Sequence, residues 1–411
     1  MLRLPAITVS TAHLPSAYLW HTRSALPDAG VLVGVNVLTG GTAFRYDPWA
    51  CYTAGLIGSP NMLVIGQLGT GKSALVKTYA SRQLDAGRAA YVLDPKGEYA
   101  ALARRHGLQL LRLAPHGDDR LNPLDAVAGE PADQVASRRV ALVGALAAGG
   151  LGRALSAEER GGLTAAIRAL PVDPTLGDLV ELLHEPTAEI AAVMRSQQAA
   201  VAAGLRDVAL ELRCLLDGPL AGMVDARSTV ELDPAGPGLV VDLSAVFDEP
   251  AALTPVMVCV TGWLTHTLAR PSPRRRLLLV DEAWALLHAP ATTRWLQAVS
   301  KLARRYGVQL ITVVHRLSDL RSQADDATAT ARQARGLLAD ADTRVVHYQT
   351  PGERAELAEL LGLSAAAARL VGELPAHRAL WLVGGHPAVV DHLLAPGIDE
   401  ALVDTDQAMR P

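Results

Sequence analysis

Apolar residues along the chain fall into two kinds of stretch. Continuous runs, including Met62-Leu63-Val64-Ile65, Ala89-Ala90-Tyr91-Val92-Leu93, Leu108 to Leu113, Gly238 to Leu243, Leu277 to Val280 and Val308 to Val314, lack the alternation of a half-solvated strand. Such runs predict strands buried on both faces, as in a parallel sheet. Shorter candidates are Thr229-Val230-Glu231-Leu232, Arg344 to Tyr348 and Ala379 to Val383. Between many of these runs the apolar spacing becomes helical. Strands alternating with helices predict an α/β fold built on a mostly parallel sheet covered on both sides.

Two regions depart from this alternation. Val31 to Val35 and Thr42 to Asp47 flank a Thr39-Gly40-Gly41 turn and read as a hairpin, so residues 1–60 form a β-rich N-terminal segment. Across residues 126–225 the strand-like runs disappear. Apolar residues there recur at helical spacing, and Ser156 with Glu159 and Thr175 with Asp178 have the form of capping boxes. This is an all-helical insertion between a first core part (61–125) and a second (226–395), with 396–411 as the tail. The apolar segment Ala251 to Leu268 contains Pro255 and several Thr and lies between strands, so a core helix is expected rather than a membrane span.

Candidate chemistry sits at the ends of these strands. Behind Met62 to Ile65 comes Gly66-Gln67-Leu68-Gly69-Thr70-Gly71-Lys72-Ser73, followed by Ala74, which fits the phosphate-loop spacing GxxxxGK[ST]. Glycines let backbone N–H groups turn inward around phosphates, and the helix that follows directs its positive end at them. Lys72 is suited to reach the β- and γ-phosphates, and the Ser73 hydroxyl to hold Mg²⁺. The run ending at Val280 delivers Asp281 and Glu282. Asp281 is a second candidate Mg²⁺ contact, and Glu282 a candidate base that orients the attacking water.

Composition narrows the setting. The chain has 411 residues, of which 50% are hydrophobic, 19% charged and 4% aromatic, which suits an Ala/Leu-rich α/β protein and argues against disorder. A formal net charge of -4 gives no overall basic field, so DNA binding is not indicated by charge and needs a local patch. Arg274-Arg275-Arg276 is the one dense basic run. Cys51, Cys214 and Cys259 lack metal spacing and read as buried thiols of a reducing cytosol. The N-terminus has no signal-peptide pattern, and the histidines have no ligand spacing, so metal binding beyond Mg²⁺ is not expected.

The motif order now permits a comparison. The phosphate loop, Asp94-Pro95-Lys96-Gly97-Glu98-Tyr99, Leu121-Asn122-Pro123-Leu124-Asp125, a helical insertion, Asp281-Glu282-Ala283-Trp284 and Ala303-Arg304-Arg305-Tyr306-Gly307 follow one another. This series resembles the TraC/VirB-type ATPases of conjugation and type IV secretion, within the HerA/FtsK superfamily of RecA-like P-loop motors. The resemblance covers roughly residues 30–390. It implies a ring-forming, Mg-ATP-dependent motor, hexameric in that family, which works in the cytoplasm at the inner face of the membrane with inner-membrane proteins of a transfer or secretion apparatus. It also makes Arg304 or Arg305 a candidate arginine finger for the neighbouring subunit's nucleotide; an exposed basic helix end is the alternative. Asp94 and Glu98, at a strand's carboxyl end, are candidates to border the nucleotide or the subunit contact. One position departs from the pattern: His315, followed by Arg316, stands where the family usually has a sensor glutamine. A HerA/FtsK-like double-stranded DNA translocase and a non-hydrolysing nucleotide-dependent scaffold are the competing functions, and Glu282 argues against the second.

Overall fold

The computed structural model describes residues 26–126, 130–231, 233, 235–283, 290–314, 336 and 340–404. Its strands are β1 (Val31–Asn36), β2 (Thr42–Tyr46), β3 (Met62–Ile65), β4 (Ala89–Asp94), β5 (Gln109–Arg112), β6 (Gly238–Asp242), β7 (Arg276–Val280), β8 (Val308–Val314), β9 (Thr343–Val346), β10 (Arg378–Val383) and β11 (His386–His392). All eleven join one sheet in the order β2-β1-β11-β10-β9-β3-β8-β7-β4-β6-β5. From β9 to β5 every pairing is parallel, and from β9 out to β2 every pairing is antiparallel. The continuous apolar runs fill the parallel part because both of its faces are covered. On β3, for example, Leu63 and Ile65 join the apolar cluster of one face while Met62 and Val64 join that of the other.

The helices are α1 (Pro48–Thr53), α2 (Lys72–Asp85), α3 (Ala100–His106), α4 (Ala132–Gly150), α5 (Ala157–Ala169), α6 (Leu176–His184), α7 (Ala188–Met194), α8 (Gln198–Asp217), α9 (Pro250–Ala269), α10 (Pro290–Tyr306), α11 (Pro351–Leu361), α12 (Ala365–Val371) and α13 (Glu400–Val403). Helices α2 and α3 cover the face that holds Met62, whereas α4 to α8, α9 and α10 build the opposite cluster. Both expected capping boxes are present, at Ser156 with Glu159 and at Thr175 with Asp178. Helix α9 is long and apolar enough to cross a membrane, yet 71% of that stretch is buried, with Val256, Cys259, Val260 and Leu264 in the core. It behaves as the core helix that its prolines and threonines suggest.

Two sequence expectations fail. Thr229 to Glu231 is not a strand: the Thr229 N–H donates to the Arg120 carbonyl (3.0 Å), the Thr229 hydroxyl accepts the Arg120 N–H (3.0 Å) and the Glu231 carbonyl accepts the Gln109 side-chain amide (2.9 Å), so isolated bonds stand where a strand would have a ladder. Cys214 is exposed on α8, unlike the buried Cys51 and Cys259. Within the basic run, Arg276 differs from its exposed neighbours Arg274 and Arg275. It is buried, and its guanidinium donates to the carbonyls of Thr267 (3.1 Å), Leu268 (2.9 Å) and Tyr306 (2.9 Å), which ties the ends of α9 and α10 to the start of β7.

Candidate nucleotide-binding and hydrolysis site

Residues 66–71 bridge the end of β3 and the start of α2. Gly69 (φ 74°) and Gly71 (φ 94°) take left-handed conformations that only glycine adopts at no steric cost. At Gly66 the constraint is space, since a Cβ there would lie 2.4 Å from the His347 Cβ. Thr70 fixes the loop from inside through its hydroxyl, which donates to the Gln67 carbonyl at 2.7 Å. From outside, the Thr70 carbonyl accepts the His377 backbone N–H at 3.0 Å and a 3.0 Å bond from the His347 ring. Lys72 is buried with its Nζ donating to the carbonyls of Gly66 (2.5 Å) and Gln67 (2.8 Å). Its ammonium therefore lies inside the loop itself. Ser73 and Ala74 occupy the first turn of α2, and Leu68 is exposed at the loop's tip.

His347, at the exit of β9, is the residue behind the loop that the sequence reading missed. Because a carbonyl only accepts, its Nδ1 carries the proton it shares with Thr70, and its Nε2 is buried without a hydrogen-bond partner among the described residues. Burial, reinforced by the nearby Lys72 charge, lowers its pKa to about 3. His392, 5.3 Å away between ring centroids, is likewise held neutral by burial and accepts the Trp381 indole N–H at 3.0 Å. A histidine with a folded pKa below its unfolded value of about 6.5 stabilises the fold fully above that pH and loses this contribution as pH falls toward the folded value. The urea midpoint is therefore expected to fall between about pH 6.5 and pH 3. It should fall less steeply in His347→Asn, whose amide can donate to Thr70 but does not titrate. Identical slopes for the two proteins would show that His347 is not part of the acid response.

The acidic pair lies across the sheet. Strands β3 and β7 flank β8, with Ile65 beside Val314 and Val280 beside Thr312, so the loop and the Asp281-Glu282 pair leave the same carboxyl edge. Asp281 accepts the Tyr99 hydroxyl at 2.9 Å and, from the next residue, the Glu282 N–H at 3.0 Å. Burial raises its pKa, partly offset by the Tyr99 bond. Glu282 is buried on a left-handed backbone (φ 49°), and its carboxylate pairs with the Lys96 ammonium. Burial lowers the Lys96 pKa, but the Glu282 contact outweighs it and the net shift is upward.

The structure gives Asp94 and Glu98 definite places. The buried Asp94 carboxylate accepts the backbone N–H groups of Lys96 (3.3 Å), Glu98 (3.1 Å) and Tyr99 (2.8 Å) and so folds the turn that follows β4. Burial pushes its pKa up to about 6, opposed by the Tyr99 and Glu98 N–H bonds. Glu98 pairs at 2.8 Å with Lys77, a buried residue of α2 that also lies over the Tyr99 ring. Arg304 and Arg305 are exposed at the end of α10, beside the entrance of β8. That is the amino edge of the parallel sheet, opposite the phosphate loop. His315 and Arg316 lie outside the described residues, as does Trp284.

Lys96 and Tyr99 therefore join the site although the sequence reading gave them no role. Their signal was the compact Asp94 to Tyr99 motif, where a lone cation stands between two acids. His347 and His377 had no such signal, because only the sheet order brings the exit of β9 and the start of β10 to the exit of β3.

No protein-family model and no curated protein sequence matches the chain. Solved structures do. The structure of VirB4 of Thermoanaerobacter pseudethanolicus superposes with a TM-score of 0.71 at 20% identity, covering 90% of this chain and 97% of that one. Plasmid coupling protein TrwB in complex with a non-hydrolysable ATP analogue gives 0.60 at 17% identity, covering 94% and 93%. TrwB in complex with ADP and Mg²⁺ gives 0.58 at 18% identity, covering 82% and 86%. The chain shares their fold. The α/β, RecA-like P-loop architecture expected from the sequence is thus observed.

Proposed function

We propose that this chain is a Mg-ATP-dependent motor ATPase that energises a conjugative-transfer or type IV secretion-like apparatus. The observation that carries the reading is the placement of a glycine-formed phosphate loop and a buried Asp-Glu pair on either side of β8, at one edge of a fold shared with VirB4 and TrwB. The residues fit the nucleotide: Gly66 leaves no room for a side chain, Gly69 and Gly71 turn the backbone, and the Lys72 ammonium already lies in the loop. Loop N–H groups from Gly66 to Ala74 and the Lys72 charge bind the phosphates, while Ser73 and Asp281 supply oxygen ligands suited to Mg²⁺. The metal, when bound, neutralises charge on the phosphate oxygens. Glu282 orients the attacking water and takes its proton. Asp94 and Glu98 serve this edge by shaping the turn beside Asp281, and His315, the next residue in sequence after β8, stands in for the sensor glutamine.

Arg304 or Arg305 serves as an arginine finger for a neighbouring subunit. Seven strand residues separate these arginines from the phosphate-loop edge, about 20 Å at 3.3 Å per residue, so neither reaches the nucleotide of its own subunit. The catalytic set is complete only in an oligomer, a hexameric ring by resemblance, working in the cytoplasm against inner-membrane partners.

Charge separates this motor from a DNA pump. A protein gripping the phosphate backbone releases counterions, so its DNA affinity is high at low salt and falls steeply as salt rises. With a net charge of -4 and Arg276 buried, weak DNA binding and little stimulation of turnover are expected at about 0.15 M salt. Strong stimulation of the purified protein by double-stranded DNA under those conditions favours the translocase instead.

A further inference from the structure

The turn from Asp94 to Tyr99 is anchored at three points. Asp94 gathers three of its backbone N–H groups, Glu98 pairs with Lys77 of α2, and the Tyr99 hydroxyl bonds Asp281. Gly97 (φ 72°) lets the turn close, and a Cβ there would come within 3.0 Å of the Ser244 hydroxyl. From this scaffold Lys96 extends to the Glu282 carboxylate, whose own backbone is in the left-handed region that L-residues rarely occupy. Strain of that kind persists where the surroundings over-determine it. Here the surroundings include the Asp281 carboxylate, which accepts the Glu282 N–H, and the Lys96 ammonium. Lys96 is not otherwise needed to fill the core, since its side chain is 37% exposed while that of Glu282 is 3% exposed.

We propose that Lys96 is a positioning residue for hydrolysis: through its ion pair it holds the Glu282 carboxylate in the orientation from which that group activates water. The inference rests on the reading of Glu282 as the base. Because α2 begins inside the phosphate loop and carries Lys77, the same turn links the loop to the base by an unbroken path: α2, Glu98, the turn, Lys96 and Glu282. A carboxylate acting on water depends on placement to a fraction of an ångström. Without the Lys96 ammonium, Glu282 keeps its chemistry but loses the charged contact that aims its carboxylate.

The test compares the parent with Lys96→Met, which keeps the length of the stem without the charge, and Lys96→Arg, which restores a cation able to pair with a carboxylate. Lys96→Met is expected to lower kcat about 100-fold. KM for ATP and affinity for a non-hydrolysable ATP analogue should change less than about twofold, the pattern of an interaction used in the transition state. Lys96→Arg should recover at least about a tenth of the parent kcat. Added to Glu282→Gln, the Lys96→Met change should lower the residual rate no further, because the two residues act as one unit. Thermal midpoints read alongside identify any variant that has lost its fold. A Lys96→Met protein that turns over as fast as the parent or faster overturns the proposal, as does a loss of affinity in proportion to kcat or an arginine variant no better than methionine. If the parent itself has no turnover, the hydrolase reading falls and takes this inference with it; an active parent with an unaffected Lys96→Met overturns this inference alone.

Discussion

Replacing Glu282 by Gln is expected to leave nucleotide binding within a few-fold of the parent and to lower turnover by roughly 10²- to 10⁴-fold, the usual contribution of a positioned base. Glutamine keeps the size of the side chain and can still hydrogen bond, but it cannot take a proton from water. The buried setting sharpens the expectation, because Glu282 lies beside Asp281 at an edge where bulk solvent supplies no ready substitute. Lys72→Ala should behave differently. Its ammonium is placed among the loop carbonyls, so its loss removes charge that binds ground state and transition state alike, and affinity falls together with rate. Equilibrium binding of a fluorescent ATP analogue, measured beside phosphate release, separates the two patterns. A Glu282→Gln protein that hydrolyses ATP at the parent rate would remove Glu282 from the role of base.

The second large effect concerns the arginines at the far edge of the sheet. A finger supplied in trans is worth about 10³- to 10⁵-fold in related phosphoryl-transfer systems, so Arg304→Ala with Arg305→Ala should be nearly inactive while still binding nucleotide. Mixing it with Glu282→Gln is the informative experiment. One subunit keeps its fingers and the other its base, so interfaces that join the two in the right order are complete and activity returns. An absence of recovery in rings shown to contain both subunits would count against a finger in trans and leave these residues as a basic helix end, favoured by the helix dipole. Dilution gives a second signature, since specific activity should collapse when the assembly dissociates.

Much of this was legible in the sequence for a physical reason. Parallel strands buried on both faces write themselves as unbroken apolar runs, so β3, β4, β7 and β8 could be read directly, and the chemistry of this fold follows their carboxyl ends. The antiparallel extension was harder. Strand β11 escaped because His386-Pro387 and Asp391-His392 leave it only the three apolar residues Ala388 to Val390, although Gly384-Gly385 before it was a readable signal: both take positive φ, as a two-residue hairpin turn requires. Thr229 to Glu231 had the composition of a strand but no partner to pair with along its length. Within the site, Asp281, Glu282 and the loop were identifiable because spacing in sequence encodes them. Lys96 pairs with Glu282 across 186 positions only because β4 and β7 are neighbours, with Leu93 beside Val280. No one-dimensional spacing carries that information. The same holds for His347 and His377, which the sheet brings against Thr70 from positions 277 and 307 residues further along.

Steady-state phosphate release by the purified oligomer decides whether this chain hydrolyses ATP. Turnover is expected to require Mg²⁺, to disappear on chelation, and to be lost in Lys72→Ala and Glu282→Gln. Saturable binding of Mg-ATP with no phosphate released by the parent oligomer would contradict it and make the chain a nucleotide-dependent scaffold.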